Sequence, residues 1–111
     1  MSRPTVANIN LVALRANLTL LSDIASGSKV IAVVKANAYG NGAIEVALAI
    51  EESVDILSVA FLAEAIELRN AGITKPILIL QGPHQAIDLQ EGKNANFIWL
   101  LHSEWQLKEF A

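Results

Sequence analysis

Residues Lys29–Gly42 read KVIAVVKANAYGNG, and the fold is decided by how this stretch is read. Five consecutive apolar residues, Val30 to Val34, have the character of a strand buried on both faces. The run ends on Lys35 and passes into a turn that holds Tyr39, Gly40 and Gly42. A charged amine at the end of the most hydrophobic strand needs a reason.

Side chains alternate along a strand, so Ile31, Val33 and Lys35 share one face and Val30, Ala32 and Val34 the other. The carboxyl ends of parallel strands are where open α/β sheets and (β/α) barrels build their active sites. Shelter from water at such a place favours the neutral amine of a lysine. The neutral amine is the form that condenses with an aldehyde. The glycines let the backbone bend closely around a ligand. For a lysine taken alone, the plainer reading is a strand-end side chain that reaches solvent, with two turn glycines behind it. A dinucleotide loop is excluded, because G-x-G-x-x-G requires glycine where Glu45 stands.

Outward from this stretch the chain repeats its pattern. Three more apolar runs read as strands: ILSVAF (Ile56–Phe61), ILIL (Ile77–Leu80, opened by Pro76) and FIWLL (Phe97–Leu101). Helical spacing lies between and around them. Leu11, Leu14, Leu18, Leu21 and Ala25 form one stripe, with Asn10 as N-cap and SGS at Ser26–Ser28 as its end. Residues Ala43–Glu52 are helical through Val46, Ala47 and Ile50. Residues Leu62–Ala71 form a helix stopped by Gly72, with Ala65 and Leu68 on its apolar side and Glu64, Glu67 and Arg69 on its polar side. A loop and helix cover Gly82–Glu91, and Ser103 with Gln106 opens a last helix as a capping box. TVANIN, Thr5–Asn10, reads as a short extended segment.

Strands that are apolar throughout and alternate with helices belong to a parallel sheet covered by helices, an α/β class. Four βα units are the first half of a (β/α)8 TIM-type barrel, which needs about 250 residues. The 111-residue chain is therefore read as the N-terminal portion of a larger protein. A complete small open sheet is disfavoured because its apolar edge strands would stand unprotected.

Composition narrows the function. Apolar residues are 53% of the chain and charged residues 17%, a core-rich balance. A net charge of −3 gives no basic footprint for nucleic acid or an anionic membrane. There is no cysteine for thiolate chemistry, and the two histidines, His84 and His102, lack metal-ligand spacing. No segment resembles a signal peptide or a membrane span, so the cytoplasm is the expected location. His102 is expected to be a hydrogen-bonded strand-end residue and His84 a solvated loop residue. Trp99 and Trp105 are expected to pack rather than stack on a ligand. Glu51 and Glu52 read as a solvated helix end, and Glu64 as a residue suited to a helix start.

AVVKANAYGNG (Ala32–Gly42) resembles the cofactor-lysine signature of the alanine racemases, fold-type III enzymes that use pyridoxal 5′-phosphate (PLP). VAFLAEAIELRNAGITKPILILQG (Val59–Gly82) resembles the family's second and third barrel units, and LLHSEWQL (Leu100–Leu107) its fourth strand and helix start. INLVALRANL resembles its first helix.

The resemblance implies that Lys35 condenses with PLP and acts as the base on one face of the substrate. Tyr39 would hydrogen-bond the cofactor phosphate, and Val33 and Leu80 would line the pocket near the pyridine ring. It implies interconversion of L- and D-alanine, supplying D-alanine for the cell wall, by a cytoplasmic homodimer. Residues 1–10 would join a C-terminal β domain, and residues 11–111 would form a partial PLP-binding barrel of about four βα units. The opposing base, a tyrosine of the partner subunit, and the arginine facing the pyridine nitrogen lie in later parts of such enzymes. The 111 residues alone are therefore expected to be inactive. One departure is Asn41, where the family usually has histidine. A non-catalytic PLP-binding protein on the same barrel type is the alternative, and TVANIN argues against it because a lone barrel has less use for such a segment. A structural module without cofactor is the third reading.

Overall fold

The computed structural model describes residues 3–111. Residues 1 and 2, part of the segment expected to join a further domain, lie outside the described residues. The elements follow the order α1 (Leu11–Ile24), β1 (Ile31–Val33), α2 (Lys35–Tyr39), α3 (Ala43–Ile50), β2 (Ile56–Val59), α4 (Leu62–Asn70), β3 (Ile77–Ile79), α5 (Ala86–Glu91), β4 (Phe97–Trp99) and α6 (Glu104–Phe110). A 3-10 turn, Glu51–Ser53, follows α3. The strands form one parallel sheet in the order β1-β2-β3-β4. Sequential neighbours joined by helical crossovers are the arrangement of consecutive units in a (β/α) barrel.

Register fixes the two faces. Val33 pairs with Ser58, Ser58 with Leu78, and Leu78 with Ile98. That row lies on the face away from the helices, where Val33 is 40% exposed. Its neighbour Val34, on the helix side, is 2% exposed. The expected alternation therefore holds along β1. The core lies between sheet and helices, where Leu57, Val59, Ile77 and Ile79 meet Val46, Ala47, Ile50, Ala65 and Leu68. Each large aliphatic buried there contributes about 1.5–3 kcal/mol.

Helix α1 starts as its sequence requires, with Asn10 Oδ1 accepting the Ala13 amide hydrogen at 3.0 Å. Its stripe is narrower than expected. Leu11, Leu14 and Leu18 pack against the core, whereas Leu21 is 61% exposed. Residues 3–10 join no sheet; the extended reading of TVANIN holds at Asn10 (φ −95°, ψ 94°) without any pairing. All four strands are shorter than their apolar runs, although the residues just past β1, β3 and β4 still bond to the neighbouring strand, Val34 N to Ser58 O (2.8 Å), Leu80 N to Val59 O (2.9 Å) and Leu100 N to Ile79 O (3.2 Å).

Polar side chains fasten the amino-terminal end of the sheet. The Arg69 guanidinium donates to the carbonyls of Ile73 (2.9 Å), Lys75 (2.7 Å), Ala95 (2.8 Å) and Asn96 (3.2 Å). It also lies 5.4 Å from the centroid of the Phe97 ring. Burial pushes its ionisation down from the ordinary arginine value, partly opposed by the nearby Glu51 charge. Glu51 is not the free helix end expected. Its carboxylate accepts from the Thr74 amide (2.6 Å), the Thr74 hydroxyl (3.3 Å) and the Lys75 amide (3.2 Å). Those contacts, led by the Thr74 amide, hold its ionisation below the ordinary glutamate value despite desolvation.

Among the described residues no helix is long and apolar enough to cross a membrane.

Candidate active site

The carboxyl end of β1 is where the chain departs most from its sequence reading. The last sheet bond there runs from the Val34 amide to Ser58 O at 2.8 Å. Val34 then turns out of the extended region (φ −122°, ψ 23°), so Lys35 lies beyond the strand and opens α2. Ala36, Asn37, Ala38 and Tyr39 all have positive φ, between 51° and 57°. This is a left-handed turn made of non-glycine residues, and each such residue costs about 1–2 kcal/mol, less for asparagine.

Hydrogen bonds offset that strain. The Ala38 amide donates to Val34 O at 2.9 Å and the Gly42 amide to Asn37 O at 2.9 Å. Asn37 Oδ1 accepts the Ala43 amide hydrogen at 2.9 Å, serving the first turn of α3. Asn41 Nδ2 donates to Ala38 O at 2.9 Å. Asn41 is thus part of the turn's internal bonding. Gly40 closes the turn at φ 89°, a conformation in which a Cβ is strained.

Lys35 is half-buried, and its Nζ lies 5.9 Å from the centroid of the Tyr39 ring. Val33, Ala38, Tyr39 and Asn41 share a cleft of about 370 Å³ with Ile9 and Asn10. Lys35 is outside the lining of that cleft, next to it in the turn. Leu80 follows β3, two strands from β1, which is about 10 Å across the sheet. Its parity matches Leu78, whose row includes Val33, so alternation puts both on the open face. The fold therefore brings Lys35 to Tyr39 and Tyr39 to the cleft that Val33 lines, and leaves Leu80 on the same sheet face as Val33 at a distance.

The other loops at this end are tied to one another. His102 Nε2 donates to Leu80 O at 2.6 Å, the hydrogen-bonded role expected for it. Gln106 is 5% exposed and bridges two loops. Its Oε1 accepts from His102 N (2.5 Å) and Ser103 N (3.2 Å), and its Nε2 donates to Pro83 O (2.9 Å). Gly82 must be glycine here: at φ 67°, a Cβ would lie 2.2 Å from Leu100 O. His84 is exposed, as expected, but stacks with Phe61 at 6.5 Å and contacts Gln81 Oε1 at 2.8 Å. Trp99 packs edge-on to Phe97 at 6.4 Å, while Trp105 is 43% exposed.

Sequence reasoning missed Glu64 as part of this site. Its Oε2 accepts the Ala36 amide hydrogen at 2.7 Å, and its Oε1 accepts those of Ala60 (2.8 Å) and Phe61 (3.3 Å). The signal available was a glutamate three residues into a helix that follows a strand end directly. That marks the helix-start contact with Phe61 and gives no hint of Ala36.

The donor set suits an aldehyde cofactor that carries a phosphate. An amine comes within 5.9 Å of the centroid of a phenol ring beyond the carboxyl end of a parallel strand, and the phenol shares a cleft with Val33.

Comparison with known proteins agrees with this geometry. Residues 9–111 match the family model described as alanine racemase, N-terminal domain. The alanine racemase of Chromohalobacter salexigens is 47% identical over 108 residues, covering 96% of this chain and 29% of the relative. That of Haemophilus influenzae is 46% identical over 105 residues, with 95% and 29% covered. Among solved structures, the biosynthetic alanine racemase of Pseudomonas aeruginosa superposes with a TM-score of 0.91 at 36% identity, over 97% of this chain and 30% of that one. The Clostridium difficile 630 alanine racemase, in complex with cycloserine, gives 0.86 at 39% identity, over 98% and 30%. The chain thus spans about 29% of the length of these curated relatives.

Proposed function

Since this chain belongs to the alanine racemase family, matching its N-terminal domain, we propose that the protein interconverts L- and D-alanine with PLP, and that Lys35 bears the cofactor. The observation that carries this reading is the pairing of Lys35 with Tyr39 in a strained turn at the carboxyl end of β1.

PLP, when bound, supplies the electron sink that makes the α-carbon of an amino acid acidic enough to lose its proton. The residues of this chain do the rest of what is proposed for this half of the site. Lys35 would hold the cofactor through its amine, and with substrate bound its nitrogen would take the α-proton from, or return it to, one face. Tyr39 would donate its phenolic hydrogen to the phosphate. Val33 and Leu80 offer apolar surface to the ring and keep water from the reacting carbon. The base on the other face is proposed to come from a partner subunit, so the working form is a homodimer. The product suits supply of D-alanine for the cell wall, and the cytoplasm is the proposed location.

The test is a racemisation assay on the longest natural polypeptide containing this chain, with PLP and either alanine enantiomer. The expected outcome is interconversion that Lys35→Ala abolishes. A PLP-saturated protein that leaves both enantiomers unchanged would overturn the reading. The 111 residues alone are proposed to be slower by about 10²–10⁴-fold or more, the usual worth of one positioned acid–base group.

A further inference from the structure

We propose that Glu64 is a positioning residue for Lys35. Its carboxylate bridges the ends of β1 and β2 and holds the left-handed turn from which the lysine projects. This rests on the reading of Lys35 as the cofactor-bearing residue.

The division of labour between the two carboxylate oxygens carries the inference. Oε1 serves the start of α4, accepting from Ala60 N at 2.8 Å and Phe61 N at 3.3 Å. A helix start needs nothing more from this side chain. Oε2 is directed away from that helix, to the Ala36 amide 28 residues earlier, at 2.7 Å. Ala36 is the first of the left-handed residues and the one next to Lys35. Alanine has no side-chain group that could favour this conformation, so external contacts must impose it. Within the turn, Asn37 and Asn41 bond to its far side, at Ala43 and Ala38. Glu64 is the side chain that grips its near side.

The chemistry also explains why the residue is a carboxylate. All three of its partners are N–H donors, so the group must accept with both oxygens. Glutamine has one acceptor oxygen and would turn its NH2 towards a second N–H. Glu64→Gln can therefore keep the helix start and lose the bond to Ala36, which separates positioning from simple stability. Glu67→Gln removes the same charge from an exposed site on the same helix and serves as control.

The experiment treats each protein with PLP and borohydride, then measures by peptide mapping the adduct on Lys35 relative to that on Lys29. Amide hydrogen exchange at Ala36 and Ala60 is followed in parallel. Glu64→Gln is expected to lower the Lys35 preference about tenfold and speed Ala36 exchange about tenfold, the worth of one hydrogen bond to a charged group. Ala60 should stay protected and the melting temperature should stay close to that of the parent. Glu67→Gln should change neither reading. Full retention of Lys35 preference and Ala36 protection in Glu64→Gln would overturn the proposal. If the parent shows no preference for Lys35, the functional reading fails, and Ala36 exchange alone decides whether Glu64 holds the turn. If Glu64→Gln does not fold, the parent still decides: a scalar coupling across the hydrogen bond from Ala36 N to the Glu64 carboxylate carbon is expected, and its absence would overturn the proposal.

Discussion

The Lys35 Nζ lies 5.9 Å from the centroid of the Tyr39 ring, within the range of an ammonium–aromatic contact. The two residues are four apart in sequence, and right-handed helical spacing would also make them neighbours. Here a left-handed turn joins them instead, which redirects both side chains relative to the strand. The amine and the phenol thus form one unit, set by backbone conformation.

Tyr39→Phe tests the phenol separately from the ring. Tyr39 is 64% exposed, so losing its hydroxyl leaves no buried group unsatisfied. The melting temperature should move by less than about 0.5 kcal/mol equivalent. PLP affinity, measured by absorbance titration, should fall about tenfold, the worth of a hydrogen bond to a charged phosphate.

How much of this was legible in the sequence depends on where each residue's partner lies. The four apolar runs gave the parallel strands and their order because core composition is a local property. Ala65 and Leu68 fell on the buried side of α4 for the same reason. The winding of Ala36–Tyr39 was hidden, since alanine and tyrosine have no preference for positive φ and only Asn37 hinted at it. Glu51 reads as a solvated helix end, Arg69 as a polar-side residue and Glu64 as a helix-start residue, yet each binds backbone groups that the fold brings close from elsewhere in the chain. Thr74 is 23 residues from Glu51, and Ala95 is 26 from Arg69. Backbone partners at such separations leave no mark in side-chain pattern. Among the candidate site residues, Lys35 and Tyr39 were legible from a motif, whereas the support behind them was not.

Arg69 predicts a stability effect at the end of the sheet remote from Lys35. Its guanidinium serves four carbonyls with a planar fork that a lysine ammonium cannot reproduce. Arg69→Lys should cost about 2 kcal/mol and Arg69→Ala about 3–4 kcal/mol, read from urea unfolding. The adduct preference for Lys35 should persist wherever the variant remains folded.

Glu51 predicts a pH dependence of stability. Its ionisation is easier in the folded chain than the ordinary value of 4.5. A carboxyl group lowered on folding contributes stability above its unfolded value and loses it as pH falls through the folded value. Unfolding midpoints should therefore be insensitive to this group above about pH 5.5 and decline below about pH 4.5. In Glu51→Gln the acid decline should be shallower, as followed by circular dichroism in urea at successive pH values. An identical decline in both proteins would remove Glu51 from the account.

The proposed function requires that one amine among the lysines of this chain takes an aldehyde in preference to the rest. Borohydride reduction in the presence of PLP, followed by peptide mapping, reads this out residue by residue. A pyridoxyl adduct should concentrate on the peptide containing Lys35 and be lost in Lys35→Ala. Label spread evenly over Lys29, Lys75, Lys93 and Lys108, with Lys35 no more modified than the others, would contradict it.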